Sequence, residues 1–275
     1  MKNALKITAL AMLLASCSSK PAEEVSAPKM ASVTQFDLDQ MNVSWIREND
    51  GAHLMPARMF VGADSALIDS LGVADGVPSA MSAYLVRLNG KNILFDTGNG
   101  GERGKVAARL DTLGVPPTAI DYLFITHFHG DHIGGMLNGD NVVYPNAQVY
   151  VNQAEYDAWM SDTANVQAIT TMQKYQSQLH LFSIGDALPE GVQGIEAYGH
   201  TPGHTVYQCG KLLVVGDLMH GAALQLFNPE ICASFDADKP KCIESRKRIL
   251  KYADDNGLVV AGMHMPMIIR MPAEK

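Results

Sequence analysis

Residues 127–132 read His127-Phe128-His129-Gly130-Asp131-His132, three imidazoles and a carboxylate within six positions, directly after the apolar run Tyr122-Leu123-Phe124-Ile125. In extended backbone, side chains two residues apart share a side, so His127 and His129 point the same way. Asp131 and His132 continue the turn toward a neighbouring position. Two adjacent metal sites account for that crowding, because imidazole and carboxylate are ligands that divalent transition ions accept. Four residues cannot complete two coordination shells, so partners must come from elsewhere in the chain. His204 in Thr201-Pro202-Gly203-His204, Asp217 in Val214-Val215-Gly216-Asp217 and His264 in Ala261-Gly262-Met263-His264 are the candidates. Each follows an apolar run and a glycine, where a sharp turn can aim a side chain into a shared cleft.

The elements that must position these residues follow from periodicity and turn signals. Strand-like runs are expected at Val43 to Ile46, Ala83 to Leu88 and Asn92 to Phe95, the last two joined by a hairpin turn at Asn89-Gly90. A helical pattern over Lys105 to Leu113 ends at Gly114 and the Pro116-Pro117 break. A strand at Tyr122 to Thr126 leads into the histidine cluster and a helix beginning near Asp131. Val149 to Val151 reads as strand, and Ala154 to Met160 and Val166 to Leu179 read as helices. Strands near Val192 to Ala197, Thr205 to Cys209 and Leu212 to Val215 then repeat the rhythm, before a helix at Ile243 to Ala253 and a strand at Leu258 to Ala261. Alternating strands and helices, with hairpins in each half, predict two mixed sheets packed together under outer helices.

With these motifs in place, the chain resembles the metallo-β-lactamase-fold hydrolases from about residue 36 to 266. The resemblance implies an α/β (mixed α+β) class with an αββα sandwich. It implies one metal held by His127, His129 and His204, a second held by Asp131, His132 and His264, and Asp217 bridging both. His200 matches the non-ligand histidine of the "GHTPGH" motif, and His53 and His180 receive no role. Asp96 in "LFDTG" matches a family position beneath the metals, where it would orient the ligand loop. Two divalent ions roughly 3.5–4 Å apart would share a bridging hydroxide as nucleophile. Asp131 is then the expected proton acceptor and donor. Zinc is the default metal for such ligands, with manganese, cobalt or iron also accepted.

Within that superfamily, Asp131 and Asp217 weigh against the narrow-sense β-lactamases and point to the branch with a bridging aspartate. The stretches Glu196 to Val206, Gly216 to Gln225 and Phe235 to Leu250 resemble the methyl parathion hydrolase family and its lactonase relatives. The implied function is a dinuclear hydrolase of small-molecule esters, lactones or phosphotriesters. A glyoxalase-II-type thioesterase, a weak β-lactamase, and a metal-binding lipoprotein or ligand sensor with little turnover stay open as alternatives. His220, three positions beyond Asp217, would steady a carbonyl or developing oxyanion. Trp159 matches a pocket aromatic of the organophosphate hydrolases. After His264 the chain departs from the relatives, which continue into a further strand, so the terminal wall of the pocket is expected to differ.

The remaining composition bounds the setting. A chain of 275 residues with 47% hydrophobic content can bury a full core in one domain. Lys2 and Lys6 precede the apolar stretch Ile7 to Ala15, so residues 1–16 read as a lipoprotein signal with Cys17 as the acylated residue. Residues 17–34 then form a flexible tether to a domain at 35–275, and Ser18 favours an outer-membrane anchor facing the periplasm, the only membrane contact expected. Removing residues 1–16 takes away two lysines and no acid, turning a net charge of −8 into −10. So acidic a chain is not expected to bind nucleic acid, which calls for basic grooves. Related enzymes are often dimers, making a homodimer the partner to test. Cys209 sits in an apolar run, whereas Cys232 and Cys242 flank a polar loop and could pair in an oxidising compartment.

Overall fold

The computed structural model describes residues 31–266 and 268–270; the signal segment of residues 1–16, Cys17 and most of the tether lie outside the described residues. The first sheet has seven strands in sequential order: β1 (Val33–Leu38), β2 (Met41–Arg47), β3 (Ser82–Leu88), β4 (Lys91–Phe95), β5 (Tyr122–Phe124), β6 (Gln148–Asn152) and β7 (Leu179–Phe182). Neighbours are antiparallel from β1 to β4 and parallel from β4 to β7. The second sheet runs β8 (Gln193–Glu196), β9 (Thr205–Cys209), β10 (Leu212–Gly216), β11 (Val259–Gly262) and β12 (Ile269–Arg270), with only β10 and β11 parallel. β1 begins inside the stretch read as tether. β12 supplies a closing strand after His264, pairing Val259 with Arg270, where the sequence suggested the wall would differ.

Alternation along the strands sorts side chains between two cores. Tyr84, Val86, Ile93, Phe95 and Phe124 face Tyr207, Cys209, Val214 and Ala261 across the sandwich. Their neighbours Leu85, Leu94, Leu123 and Ile125 point outward, beneath α2 (Val106–Thr112), α4 (Gln153–Met160) and α5 (Val166–Lys174). The outer face of the second sheet is covered by α7 (Lys239–Asp255), through Ile249, Leu250 and Ala253. The shorter helices are α1 (Ser65–Ser70), α3 (Gly130–Ile133) and α6 (Ala222–Gln225). Helices outside and two sheets within make the αββα sandwich expected from the sequence. The parallel strands are buried on both faces, and for that reason Leu212 to Val215 is an unbroken apolar run.

Local chemistry fixes the connections. Asn89 and Gly90 take φ of 52° and 76°, the left-handed pair that a two-residue hairpin between β3 and β4 demands. α7 starts at Asp238, whose side chain accepts the amide N–H of Lys241 at 3.0 Å. The helix expected to run to Leu179 stops at Lys174, and Leu179 instead opens β7. At the site end the two sheets are stitched across the core: Tyr207 Oη donates to the Ile125 carbonyl (2.8 Å), Thr205 N–H to the Thr126 carbonyl (3.0 Å) and Tyr84 Oη to the Gly262 carbonyl (3.0 Å). Each such bond anchors a strand end immediately before a candidate ligand.

Cys232 and Cys242, whose pairing the sequence leaves open, are both free, buried thiols. Cys242 Sγ lies 3.3 Å from a guanidinium nitrogen of Arg246, and Cys232 Sγ faces the Lys239 carbonyl at 3.6 Å. Cys209 is likewise free and buried in the inner core. Among the described residues, no helix is long and apolar enough to cross a membrane.

Candidate metal centre

The candidate residues gather at the carboxyl ends of β4, β5, β10 and β11, where parallel strands leave loops free to converge. Asp96 follows β4 at φ 57°, a left-handed conformation that non-glycine residues adopt at a cost. Its buried carboxylate accepts Thr126 N–H (2.8 Å), Thr126 Oγ1 (2.8 Å) and His132 Nδ1 (2.7 Å). With Nδ1 so engaged, His132 presents Nε2 to the centre. Thr126 Oγ1, having donated its proton to Asp96, accepts from His127 Nδ1 at 3.0 Å, which leaves His127 Nε2 as a bare lone pair.

One group comprises His127, His129, His200 and Asp217. His129 Nδ1 stands 3.0 Å from His127 Nε2 and 3.0 Å from His200 Nε2. His200 Nδ1 donates to the Asp236 carboxylate at 2.8 Å, so its Nε2 is turned inward, 3.2 Å from an Asp217 oxygen; burial opposes its charge, but these two carboxylates raise its pKa. Burial, reinforced by neighbouring imidazoles, holds His127 well below the ordinary histidine range and His129 at about 4. Both are therefore neutral at neutral pH.

A second group comprises Asp131, His132 and His264. His264 Nδ1 donates to the Ala80 carbonyl (2.8 Å), aiming Nε2 at Asp131 (3.3 Å) and Asp217 (3.2 Å). Burial pulls His264 down, but the carboxylates of Asp217 and Asp131 outweigh it and raise it to about 10. Asp217 lies between the groups, its oxygens 3.1 Å from His132 Nε2, 3.2 Å from His200 Nε2 and 3.6 Å from His127 Nε2. Gly216 makes that placement possible: at φ 52° it turns the chain, and a Cβ there would lie 2.6 Å from His204 Nε2.

These residues fit divalent cations. Three imidazole nitrogens face one another, an arrangement that one shared proton relieves only in part and a cation relieves fully. His132 Nε2 and the Asp217 oxygen nearest it are buried without a hydrogen-bond partner, as is His220 Nδ1. Four imidazole nitrogens are oriented by carboxylate, hydroxyl or carbonyl groups on their far side, the support that metal-binding histidines receive.

In place of His204, which the resemblance implied as a ligand, the structure brings His200 among the ligand-type atoms. Both ring nitrogens of His204 are spent: Nε2 accepts the Asp217 backbone N–H (3.0 Å) and Nδ1 donates to the Ala197 carbonyl (3.1 Å). His204 is thus a pin that holds the Asp217 turn. Trp159, matched to a pocket aromatic, packs edge-on against His129 and Phe128, with centroids 5.6 and 6.2 Å apart. His220 does reach the centre, its Nε2 3.0 Å from Asp217 and its ring stacked on His264 at 5.0 Å.

Sequence reasoning missed Glu155 and Asp236. Glu155, on α4 and fully buried, accepts from Phe128 N–H (3.0 Å), Thr201 Oγ1 (2.8 Å) and Gly203 N–H (2.8 Å), tying the two ligand loops together. Gly203 permits this approach, since a Cβ there would lie 2.1 Å from the Glu155 nitrogen. Asp236 is backed by Arg246 at 3.6 Å, and Arg246 is itself buried against the carbonyls of Leu218, Pro229 and Ile231. Asp131, with a side chain 28% exposed, opens onto a cleft of about 380 Å³ bounded by His53, Met55, Met81, His129, Asp217, His220, Phe235 and His264.

With the geometry established, comparison gives the family. A sequence profile of the metallo-beta-lactamase superfamily matches residues 77–264, and the chain belongs to that superfamily. The hydrolase AbOPH of the beta lactamase superfamily superposes with a TM-score of 0.78 at 24% identity, covering 90% of this chain and 95% of that one. AidC, a dizinc quorum-quenching lactonase solved in complex with a product, gives 0.78 at 23% identity, over 90% and 99%. At such identities the likeness is one of fold. Ribonuclease Z of Chlamydia trachomatis serovar D is 42% identical over 69 residues, 23% of this chain and 21% of that protein. The Chlamydia caviae enzyme is 38% identical over 84 residues, 27% and 26%. The chain therefore covers only about a quarter of either ribonuclease.

Proposed function

We propose that the chain is a dinuclear metal-dependent hydrolase of small esters and lactones, with phosphotriesters as further substrates and zinc as its resident ion. His127, His129 and His200 hold one ion, Asp131, His132 and His264 the other, and Asp217 touches both. The observation that carries this reading is the Asp217 carboxylate, within 3.1–3.6 Å of His132, His200 and His127 from the two groups. Two divalent cations bound there would supply Lewis acidity toward a carbonyl or phosphoryl oxygen and would acidify a water.

The chain's own residues perform the rest. Asp131 faces the cleft; burial opposes its charge, yet His132 and His264 hold it well below the usual carboxylate range. It is ionised and able to take a proton from the attacking water and return it to the leaving group. Burial keeps His220 at about 4, so it is neutral and adds no charge to the centre; its N–H reaches the developing oxyanion only if it exchanges the Asp217 carboxylate, 3.0 Å from Nε2, for the substrate. The local likeness to ribonuclease Z does not carry over to substrate: among the described residues no lysine or arginine bounds the cleft, and the chain is acidic at −8. From residues 1–17 we also infer a lipid anchor at Cys17 that holds the domain in the bacterial envelope. Cys17→Ser would then release it to the soluble fraction.

Elemental analysis of the purified domain, read beside turnover of an aryl ester, a γ-lactone and an aryl phosphotriester, tests the function. Close to two ions per chain with hydrolysis of at least one substrate is expected. Two ions without turnover of any would replace the enzyme by a metal-binding sensor.

A further inference from the structure

We propose that His53 is a positioning residue for the substrate, and that the wall it belongs to selects uncharged substrates carrying a hydrogen-bonding group beside an apolar portion. The inference rests on the hydrolase reading above.

The cleft has two dissimilar sides. One is the metal-type cluster of His129, Asp131, Asp217, His220 and His264, against which the Phe235 ring packs at 4.7 Å from His220; the other is His53, Met55 and Met81. His53 and Met55 lie on a short strand, His53–Met55, that pairs with Val77–Ser79. This strand pair is not an appendage. Ser79 Oγ donates to the His264 carbonyl (3.0 Å), as does the Ala80 amide (3.0 Å), while the Ala80 carbonyl receives His264 Nδ1. The wall and one metal-type histidine are therefore set by the same few backbone groups.

The chemistry of the wall limits what it can hold. Two thioether side chains, together with the Phe235 ring, offer adaptable apolar contact. Among the described residues no lysine or arginine bounds the cleft, so away from the ions its lining offers no fixed cation to a carboxylate, phosphomonoester or phosphodiester. His53 is the exception to the apolar lining: its imidazole is half-buried and, among the described residues, makes no side-chain hydrogen bond, unlike the other cleft histidines. As a neutral imidazole it turns one donor and one acceptor to the cleft. An amide or carbonyl on a neutral substrate matches that pair.

The test compares phenyl butyrate with an aryl ester of an N-acylamino acid, using wild type, His53→Ala and His53→Gln, each checked for two bound ions per chain. For the amide-bearing ester, His53→Ala is expected to raise KM about tenfold with kcat within about twofold, the scale of one hydrogen bond. His53→Gln, which keeps a donor and an acceptor, should recover much of that loss, and phenyl butyrate should be indifferent to all three. Equal losses on both esters, a fall in kcat alone, or no change would overturn the role of His53. Wild type with both ions bound that turns over the γ-lactone or the phosphotriester but neither ester would also overturn it, whereas turnover of none of the four ends the hydrolase reading, so the two failures are distinct.

Discussion

The choice between His200 and His204 as ligand can be tested by two alanine variants whose consequences differ in kind. His204→Ala removes the acceptor of the Asp217 N–H and the donor to the Ala197 carbonyl, both buried. Each orphaned backbone group costs about 1–3 kcal/mol, and the vacated imidazole adds a cavity term. Together these make about 3–6 kcal/mol, and at roughly 2–4 °C per kcal/mol for a chain of this size the Tm should fall by about 6–24 °C. Metal content should survive, because no lone pair of His204 reaches the centre. His200→Ala removes an inward nitrogen 3.0 Å from His129 Nδ1. Loss of an outer support alone costs 10–100-fold in metal affinity, so loss of the ligand itself should exceed about 100-fold. Elemental analysis after dialysis against a weak chelator, with circular-dichroism melts of metal-free protein, separates the two. A His204→Ala variant holding one ion beside a His200→Ala variant holding two would refute the assignment.

Three further outcomes follow from contacts at the centre. Asp217→Ala should abolish hydrolysis and lower ion stoichiometry below two, read by turnover and elemental analysis of the same sample; unchanged turnover would sink the mechanism. Asp236→Asn leaves the fold but weakens the hold on His200 Nδ1, so a competition titration should show about 10–100-fold weaker binding of one ion and little change in the other. Gly216→Ala forces a Cβ to 2.6 Å from His204 Nε2 at φ 52°, and should lose at least about 2 kcal/mol in denaturant unfolding; a loss under about 0.5 kcal/mol would show that the turn is not confined as described.

The sandwich was legible because its signals are local and repeated. Unbroken apolar runs such as Leu212 to Val215, the Asn89-Gly90 turn and the histidine cluster after β5 each state their structure within a few residues. The segment from residue 49 to 81 was not legible, because its strands are two or three residues long and show no period, yet it builds the wall that carries His53. His200 and His204 are four residues apart in one motif, and spacing alone does not say which is a ligand. What decides it lies far away: Asp236, 36 positions on, claims His200 Nδ1, while the end of β8 claims His204. Cys232 and Cys242 stayed open for the same reason, since a polar loop between two thiols says nothing of the Arg246 guanidinium that faces one of them.

Metal binding at this centre must compete with protons, and the direction of that competition can be worked out. Asp96, Asp217 and Asp236 are buried carboxylates, and among them only Asp236 has a guanidinium beside it, Arg246 at 3.6 Å. In the metal-free protein, protonated histidines must therefore balance the rest. His264, between Asp131 and Asp217, is raised to about 10 despite its burial, and His132 is raised as well by Asp217 and Asp96, against the same burial penalty. A group whose folded pKa lies above its unfolded value stabilises fully below the unfolded pKa, near 6.5, and loses that contribution as pH rises through the folded value. Metal-free protein should thus keep this contribution at pH 6 and lose it toward pH 10. Metal affinity runs the other way, because the ion must displace the proton on each Nε2 it takes. Between pH 6 and 8, log K for zinc should rise by roughly one to two per pH unit, for one or two displaced protons. Competition titrations at fixed ionic strength measure the slope. A value near zero would mean that both histidines are neutral before the ion arrives, and that the buried carboxylates are balanced by something other than imidazolium.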